Sequence, residues 1–409
     1  MKFVVATYGT EGDTRPLAAL CRALIDAGHE VRLLADAVTL GSAAALGIAS
    51  TPLAGDIQKV LRPGKETKPA DTIRDLTRIT NANTELWLRE VVAAGKGCDA
   101  IILSALASFV GLSAAEYLGI PGIGAGFIPI TPTAEFPSPF LPPGLVPRWL
   151  NRASHAFVNN TVWSLLRKST NAARASVCAL PPRRRVFMDH PILWGVSPSL
   201  LPRPDDYPAN TYICGQWTSP ARDWSPPADL ADFLAAGEPP VYLGFGSMAG
   251  LMQPRLLQEL IAGIGGRRAL FYPGWSQFGP ADLPANFHIV RDTPHDWLLP
   301  RTSVVIHHGG AGTTHSAARS GRPSVVIPFA GDQFFWADRL RQRGVAPAAI
   351  NMKSVRAAKV AGSIEFAECD DVRARAAALG TEMARENGLA NALAAIQTLM
   401  AGNLRHGSR

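Results

Sequence analysis

Two adjacent histidines followed by a glycine-rich turn carry the strongest chemical signal in this chain. Ser303-Val-Val-Ile-His307-His308-Gly309-Gly310-Ala311-Gly312-Thr313-Thr314 reads as a buried strand, a turn of small residues and a helix start bearing hydroxyls. Glycines let backbone N–H groups approach an anion closely, the first turn of a helix adds partial positive charge, and a histidine there can donate to a phosphate oxygen. No Gly-Lys-Ser/Thr follows, which excludes a P-loop. A second glycine turn, Gly244-Phe245-Gly246-Ser247-Met248, also ends an apolar strand. It would bring further N–H and hydroxyl donors to the same diphosphate.

Asp332-Gln333, about twenty residues beyond the histidines, pairs a carboxylate with an amide at a strand end. That pair suits bidentate hydrogen bonding to the vicinal hydroxyls of a sugar, and it equally suits the N-cap of the next helix. Near the N-terminus, Gly9-Thr10-Glu11-Gly12-Asp13 lies between a strand and a helix without forming a GxGxxG fingerprint, with Asp36 about twenty residues on. Asp13 would stay ionised at a helix start and could take a proton from a bound hydroxyl; by residue type alone it is as good an N-cap as a base. The chain has no Asp-x-Asp, no His-x-x-x-His and no Gly-x-Ser-x-Gly elbow, so neither a metal site nor a serine nucleophile is expected.

Strands alternating with helices must hold these residues. Phe3–Thr7, Glu30–Leu34, Asp99–Leu103 and Gly122–Gly126 read as strands in the first half, with helices over Leu17–Ala27 and up to Leu118. Val241–Phe245, Ala269–Tyr272, His288–Val290, Ser303–Ile306 and Ser324–Ile327 repeat the rhythm in the second. The pattern predicts an α/β protein with two Rossmann-like doubly wound domains facing across a cleft. The expected division is residues 1–205, a Pro-rich linker at 206–228, a second domain at 229–380, and a closing helix and tail at 381–409 that cross back to the first domain. Pro129–Pro147, with seven prolines, must be an irregular loop.

The chain has 409 residues, 47% hydrophobic and 18% charged, enough apolar material for globular domains and too little charge for disorder. No stretch reads as membrane-spanning or as a signal peptide. Five scattered cysteines point to a reducing, cytoplasmic setting. The net charge of +7 is dispersed apart from Arg183-Arg184-Arg185, and no nucleic-acid motif accompanies it. The basic stretch Lys59–Arg78 could touch a membrane surface or form a solvated lid.

Assembled, these motifs resemble the inverting GT-B glycosyltransferases of the UDP-glycosyltransferase superfamily, in the bacterial sterol and natural-product branch. Thr293-Pro-His-Asp-Trp-Leu, His307-His-Gly-Gly-Ala-Gly-Thr-Thr, Gly331-Asp-Gln, the N-terminal Gly-x-x-Gly-Asp-Thr-x-Pro and Glu386-Asn-Gly in the closing helix carry the likeness. The resemblance implies Asp13 as general base, with His307 or His308, Gly309, Gly310, Gly312, Thr313, Gly246 and Ser247 around the diphosphate. It implies Trp275, Thr293 and His295 along the base and ribose, and Asp332 and Gln333 on the sugar. Phe127, Phe136, Phe140 and Trp149 would line the acceptor. The donor would be a UDP- or TDP-sugar, UDP-glucose by the likeness of Asp332-Gln333 to the glucose-using pattern, used without a metal or cofactor. The acceptor would be a hydrophobic small molecule, a sterol, triterpenoid, polyketide or other natural-product aglycone; the alternative is a TDP-deoxysugar transferase for a glycopeptide or macrolide antibiotic. An NAD-dependent oxidoreductase, a sugar-nucleotide epimerase and a catalytically silent partner are the rival readings, and each lacks its own signature here.

Overall fold

The computed structural model describes residues 1–61, 69–218 and 224–406. Two parallel sheets organise it. The first has seven strands, β1 (Lys2–Tyr8), β2 (Glu30–Asp36), β3 (Ser50–Leu53), β4 (Ala100–Ala105), β5 (Gly122–Gly126), β6 (Ile192–Trp194) and β7 (Thr211–Ile213), in the order β3-β2-β1-β4-β5-β6-β7. The second has five, β8 (Val241–Gly244), β9 (Ala269–Tyr272), β10 (Phe287–Ile289), β11 (Val305–His307) and β12 (Ser324–Val326), in the order β10-β9-β8-β11-β12. Every pairing is parallel, β1 lying between β2 and β4 with Val5 opposite Leu33 and Ile102, and β11 between β8 and β12.

Both orders reverse direction beside their first strand, between β1 and β4 and between β8 and β11. Loops leaving strands at such a reversal splay apart and open a crevice at the strand carboxyl ends. The chemistry-bearing turns of the sequence follow β1, β8 and β11, so the topology alone aims them at two crevices.

Six helices matter for the site and its surroundings: α1 (Glu11–Asp26), α2 (Pro69–Gly95), α3 (Asn151–Cys178), α4 (Ala311–Arg319), α5 (Gln333–Gln342) and α6 (Gly388–His406). The first sheet is sandwiched between two apolar clusters. One contains Val5, Leu17, Leu20, Leu33 and Ile102, and the other Val4, Tyr8, Trp87, Val91 and Ile101. Alternate β1 residues feed opposite clusters, as the two-residue period of a strand requires. The second sheet is buried by Leu243, Leu257, Leu260, Phe271, Ile306 and Val325.

The apolar pattern over Val372–Met400 forms two helices, Asp370–Ala384 and α6. The break corrects the expectation that Glu386-Asn-Gly lies within a helix. Glu386 Oε1 accepts from Ser197 Oγ (2.7 Å) and Ser199 Oγ (2.7 Å), and a Cβ on Gly388 would stand 2.3 Å from the Gln216 carbonyl oxygen. Beyond the break, Ala392, Ala395, Ile396 and Met400 of α6 join the core of the first sheet. Phe136, Trp194, Val196 and Leu201 pack with Phe335 and Trp336, so the two sheets share an apolar seam.

Candidate functional site

The loop after β1 is built around Asp13. Thr10 caps α1: its Oγ1 accepts from Gly12 N–H (3.2 Å), and Asp13 Oδ2 accepts from Thr10 N–H (2.8 Å). This reciprocal capping box fixes the carboxylate on the first turn. Asp13 Oδ1 has no hydrogen-bond partner among the described residues, so the capping role and an outward-facing oxygen coexist in one side chain. Gly9 lies flush against the carboxylate, since a Cβ there would sit 2.2 Å from Asp13 Oδ2. Burial pushes the Asp13 carboxyl up to about 6, while the Thr10 N–H and hydroxyl oppose the rise.

The facing half-site is assembled by the turns after β8 and β11. Gly309 has φ +88°, and a Cβ there would strike the Gln333 carbonyl oxygen at 2.8 Å. Gly310 is the N-cap of α4 and offers no side-chain cap, so the first-turn N–H groups face outward without an intrahelical partner. A Cβ on Gly310 would stand 2.4 Å from His308 Nε2.

The two histidines, equivalent in sequence, differ in structure. Gly309 N–H donates to His307 Nδ1 (3.1 Å), which puts the His307 proton on Nε2, a buried donor with no partner among the described residues. His308 lies beneath the Gly246 turn, its Cε1 3.8 Å from where a Gly246 Cβ would be, and its buried Nδ1 has no partner among the described residues. Burial drives the ring pKa values down to about 3 for His307 and about 4 for His308, so both imidazoles are neutral at pH 7. The pocket therefore offers an anion N–H dipoles and neutral rings. Gly246 takes φ +53°, and Ser247 opens the short helical turn Gly246–Leu251 with its hydroxyl free of partners among the described residues. Gly312 and Thr313 belong to the first turn of α4.

Asp332 stands at the N-cap of α5 but makes no capping bond; its Oδ2 accepts from Trp336 Nε1 (2.9 Å). Burial pushes its carboxyl up to about 7, and the Asp13 charge from the first domain adds to the rise. The two carboxylates, Asp13 and Asp332, are therefore near enough to feel each other's charge. Gln333 uses its Oε1 to hold its own loop, accepting from Phe329 N–H (2.6 Å) and Ala330 N–H (3.1 Å), so only its Nε2 is left to donate.

Beyond β9 and β10 an open cavity of about 760 Å³ is lined by Tyr272, Gly274, Phe278, Ile289, Val290 and Arg291, among others. Thr293 and His295 follow directly in the chain. Thr293 Oγ1 donates to the Arg291 carbonyl (3.1 Å), and burial lowers the His295 pKa to about 4. Trp275 is not among the lining residues of that cavity. It packs instead against the first-domain cluster of Tyr8, Leu53, Ile57 and Trp87.

The acceptor-side aromatics divide. Phe127 and Phe136 are buried, Phe127 edge-on to Trp217 (5.4 Å) and Phe136 against Phe335 (5.3 Å). Phe140 and Trp149 are exposed, Trp149 at 82%, so the four do not form one wall. Two features had no sequence signal. The Arg15 guanidinium donates to both carboxylate oxygens of Asp292 (3.1 and 3.0 Å) across the cleft, and Trp336 bridges Asp332 and His315, whose ring lies edge-on at 4.8 Å. Partners 277 residues apart cannot be paired from a single sequence.

The chain is 33% identical over 416 residues to the O-mycaminosyltylonolide 6-deoxyallosyltransferase of Streptomyces fradiae, the match covering 97% of each protein. It belongs to the GT-B glycosyltransferases. Residues 3–137 of this glycosyltransferase match the glycosyltransferase family 28 N-terminal domain, and residues 274–395 the erythromycin biosynthesis protein CIII-like C-terminal domain. A sterol 3-beta-glucosyltransferase of Arabidopsis thaliana is 31% identical over 432 residues, covering 97% of the enzyme; the enzyme spans 65% of that relative's length. Among solved structures, the kitacinnamycin glycosyltransferase superposes with a TM-score of 0.69 at 20% identity, covering 97% of this chain and 98% of the other. Glycosyltransferase VinC in complex with dTDP superposes at 0.67 and 18% identity, covering 98% and 100%.

Proposed function

We propose that this glycosyltransferase moves a hexose, glucose in the first instance, from a nucleoside diphosphate sugar to a hydroxyl of a hydrophobic small molecule, with inversion and without a metal. The observation that carries the reading is the pairing of Asp13, open at Oδ1, with an uncapped helix N-terminus and two neutral histidines across the same cleft. The acceptor hydroxyl gives its proton to Asp13 as its oxygen attacks the anomeric carbon. The bond from that carbon to the β-phosphate oxygen breaks, and the nucleoside diphosphate leaves with the electron pair. His307 or His308, with the N–H groups of Gly310, Gly312 and Thr313, would stabilise the charge that develops on the leaving group. Gly309 would shape the turn with its own N–H held by His307 Nδ1, and Gly246 and Ser247 would contact the leaving group from the other side. Asp332 and Gln333 would hold the sugar hydroxyls. Thr293 and His295 would flank the nucleoside. Trp275, engaged with the first domain, would reach it only if that contact opened.

Glucose on a sterol-type or other polycyclic acceptor is favoured by the Asp332-Gln333 pair and by the sterol glucosyltransferase likeness. A TDP-deoxysugar transferase acting on a macrolide is the second reading, favoured by the end-to-end match to the Streptomyces fradiae enzyme. Thermal stabilisation by UDP, TDP, UDP-glucose and NAD, measured in parallel, tests both. A ligand bound only by the native state raises the melting temperature with the logarithm of its concentration over its dissociation constant. A shift with UDP or TDP is expected, and the larger one names the donor base. A shift with NAD alone would overturn the reading. EDTA should leave activity unchanged.

A further inference from the structure

Residues 136–188 contain no Asp or Glu, yet carry Arg148, Arg152, Arg167, Lys168, Arg174, Arg183, Arg184 and Arg185. Those eight cations exceed the +7 net charge of the whole chain. The same segment holds seven of the thirteen large apolar side chains exposed among the described residues: Phe140, Leu145, Trp149, Phe157, Val162, Leu165 and Met188. An acid-free cationic segment that also concentrates protruding apolar groups is unlike an ordinary solvated face, where both signs of charge mix and large apolar side chains are scattered.

The segment is laid out along α3. The buried side of α3 pins the acceptor-side loop: Asn151 Nδ2 donates to the Ala134 carbonyl, Ser154 Oγ accepts from Ser138 N–H, and Asn159 Nδ2 donates to the Ile130 carbonyl. The opposite side is exposed, and there Phe157, Thr161, Ser164 and Lys168 recur at three- and four-residue spacing along one line of the helix. Residues 183–188 return along α3, with Asn171 bonded to Arg183, Trp163 Nε1 to the Arg184 carbonyl, and Asn159 near Met188. Arg152, Arg174 and Arg183 are spent on Asp206 and Glu116. Arg148, Arg167, Lys168, Arg184 and Arg185 are exposed and make no ion pair among the described residues. On the adjacent helix α2, Arg74, Arg78 and Arg89 each pair with Asp71, Asp75 or Glu85 and Glu90 is a fourth acid, so that neighbour adds no positive charge.

We infer that the outer face of α3, with the tip Leu145–Trp149 beside it, docks on an anionic lipid bilayer. No helix among the described residues is long and apolar enough to cross a membrane, so the contact is peripheral. Two observations favour lipid over an acidic protein. Leu145, Trp149 and Phe157 stand out at 64%, 82% and 68% exposure, large apolar groups of the kind that insert beneath a headgroup layer. Aromatic and aliphatic side chains set among Arg and Lys match the boundary between acyl chains and anionic headgroups. The surface differs from the stretch Lys59–Arg78 suggested by sequence: Lys59, Arg74 and Arg78 are paired with Asp56, Asp71 and Asp75, and residues 62–68 lie outside the described residues. Docked this way, the enzyme holds its acceptor-side loop, pinned beneath α3, close to the bilayer.

The test is co-sedimentation of the full chain with phosphatidylcholine vesicles and with vesicles carrying about a third phosphatidylglycerol. Binding to the anionic vesicles at low salt is expected, with much weaker binding to phosphatidylcholine and loss at high salt. Two exposed pairs are then changed separately, Leu145→Glu with Phe157→Glu, and Arg167→Glu with Lys168→Glu. Each basic residue near such a surface contributes about fivefold in partitioning, so reversing two should weaken binding by roughly 20-fold or more, as should charging the apolar pair. Unchanged melting temperatures show that the variants fold. Failure of the wild-type chain to bind anionic vesicles, or equal binding by both variants, overturns the proposal. Capture of polyglutamate with no vesicle binding would give the face to an acidic protein instead. The sedimentation uses neither donor nor acceptor, so its failure and a failure of the donor reading are separate results.

Discussion

In the proposed reaction Asp13 would serve two needs with one carboxylate. Oδ2 closes the capping box on Thr10 and Oδ1 stays open, so the side chain is held by its structural bond in the orientation that proton transfer needs. A raised carboxyl must ionise before it can act as a base. The expected pH profile of kcat/KM therefore rises through about 6 and falls tenfold per unit below it, while Asp13→Asn abolishes that limb and lowers turnover by roughly 10²–10⁴. An Asn variant with full activity removes Asp13 from the mechanism. Asp332 carries a different signature. Its folded value of about 7 lies above its unfolded one, so the native state binds the extra proton and stability is lost as pH rises from about 4 to about 7. Part of its surface is open to solvent, which holds the effect to the order of 1 kcal/mol. Asp332→Asn should melt higher than the parent at pH 8 and close to it at pH 4; the same gain at both values would mean that charge burial is not the cause. Residue types announced both carboxylates. Which imidazole nitrogen is free, and that His308 alone lies under the Gly246 turn, depended on backbone angles at Gly309 and Gly310 that no sequence pattern prints.

Elements were legible where the apolar run was long enough to have a period. The strands through Val4, Leu33, Ile102, Leu243 and Ile306 lie where the sequence reading put them, within a residue or two. Three others, β3, β6 and β7, sit among prolines, with Pro52 inside β3, Pro191 directly before β6 and Pro208 ahead of β7, and that punctuation reads as loop. Helix α1 starts six residues before its apolar stripe because the Thr10 cap sets the start, ahead of Pro16. The split of the final helical pattern at Glu386 comes from long-range bonds to Ser197 and Ser199 that local pattern cannot contain. The element that matters most for the donor is α4, whose open N-terminus is left free by a glycine cap. Gly310→Ala would force the His308 ring aside while leaving the helix intact. Affinity for the nucleoside diphosphate should drop at least tenfold with the melting temperature of the ligand-free protein little changed; calorimetric titration with UDP and TDP reads this directly. Because both histidines are neutral at pH 5 and above, neither should shape the pH dependence of the wild-type affinity between pH 5 and 8, which is left to the ligand's terminal phosphate and to the carboxylates of Asp13 and Asp332.

At the scale of the molecule, a transfer reaction needs the base on one domain and the donor cradle on the other brought together, and the Arg15–Asp292 pair spans that gap. Arg15 is two residues past Asp13, and Asp292 directly precedes Thr293, so one bidentate contact ties the Asp13 turn to the loop beside the open cavity. Both side chains are more than half exposed, and a surface pair of this kind adds at most about 1 kcal/mol to folding. In the proposed reaction its value would lie in favouring the arrangement that joins the two half-sites, where even a fraction of that energy would change the fraction of competent molecules. Arg15→Ala and Asp292→Ala should each raise the donor KM several-fold with the melting temperature nearly unchanged, and the double variant should be no worse than either single one, as expected for two partners of one contact. Salt should weaken donor binding in the wild type and have less effect in the variants. Additive losses in the double variant, or a KM that does not move, would show that closure is carried elsewhere, with the apolar seam of Phe136, Phe335 and Trp336 as the next candidate.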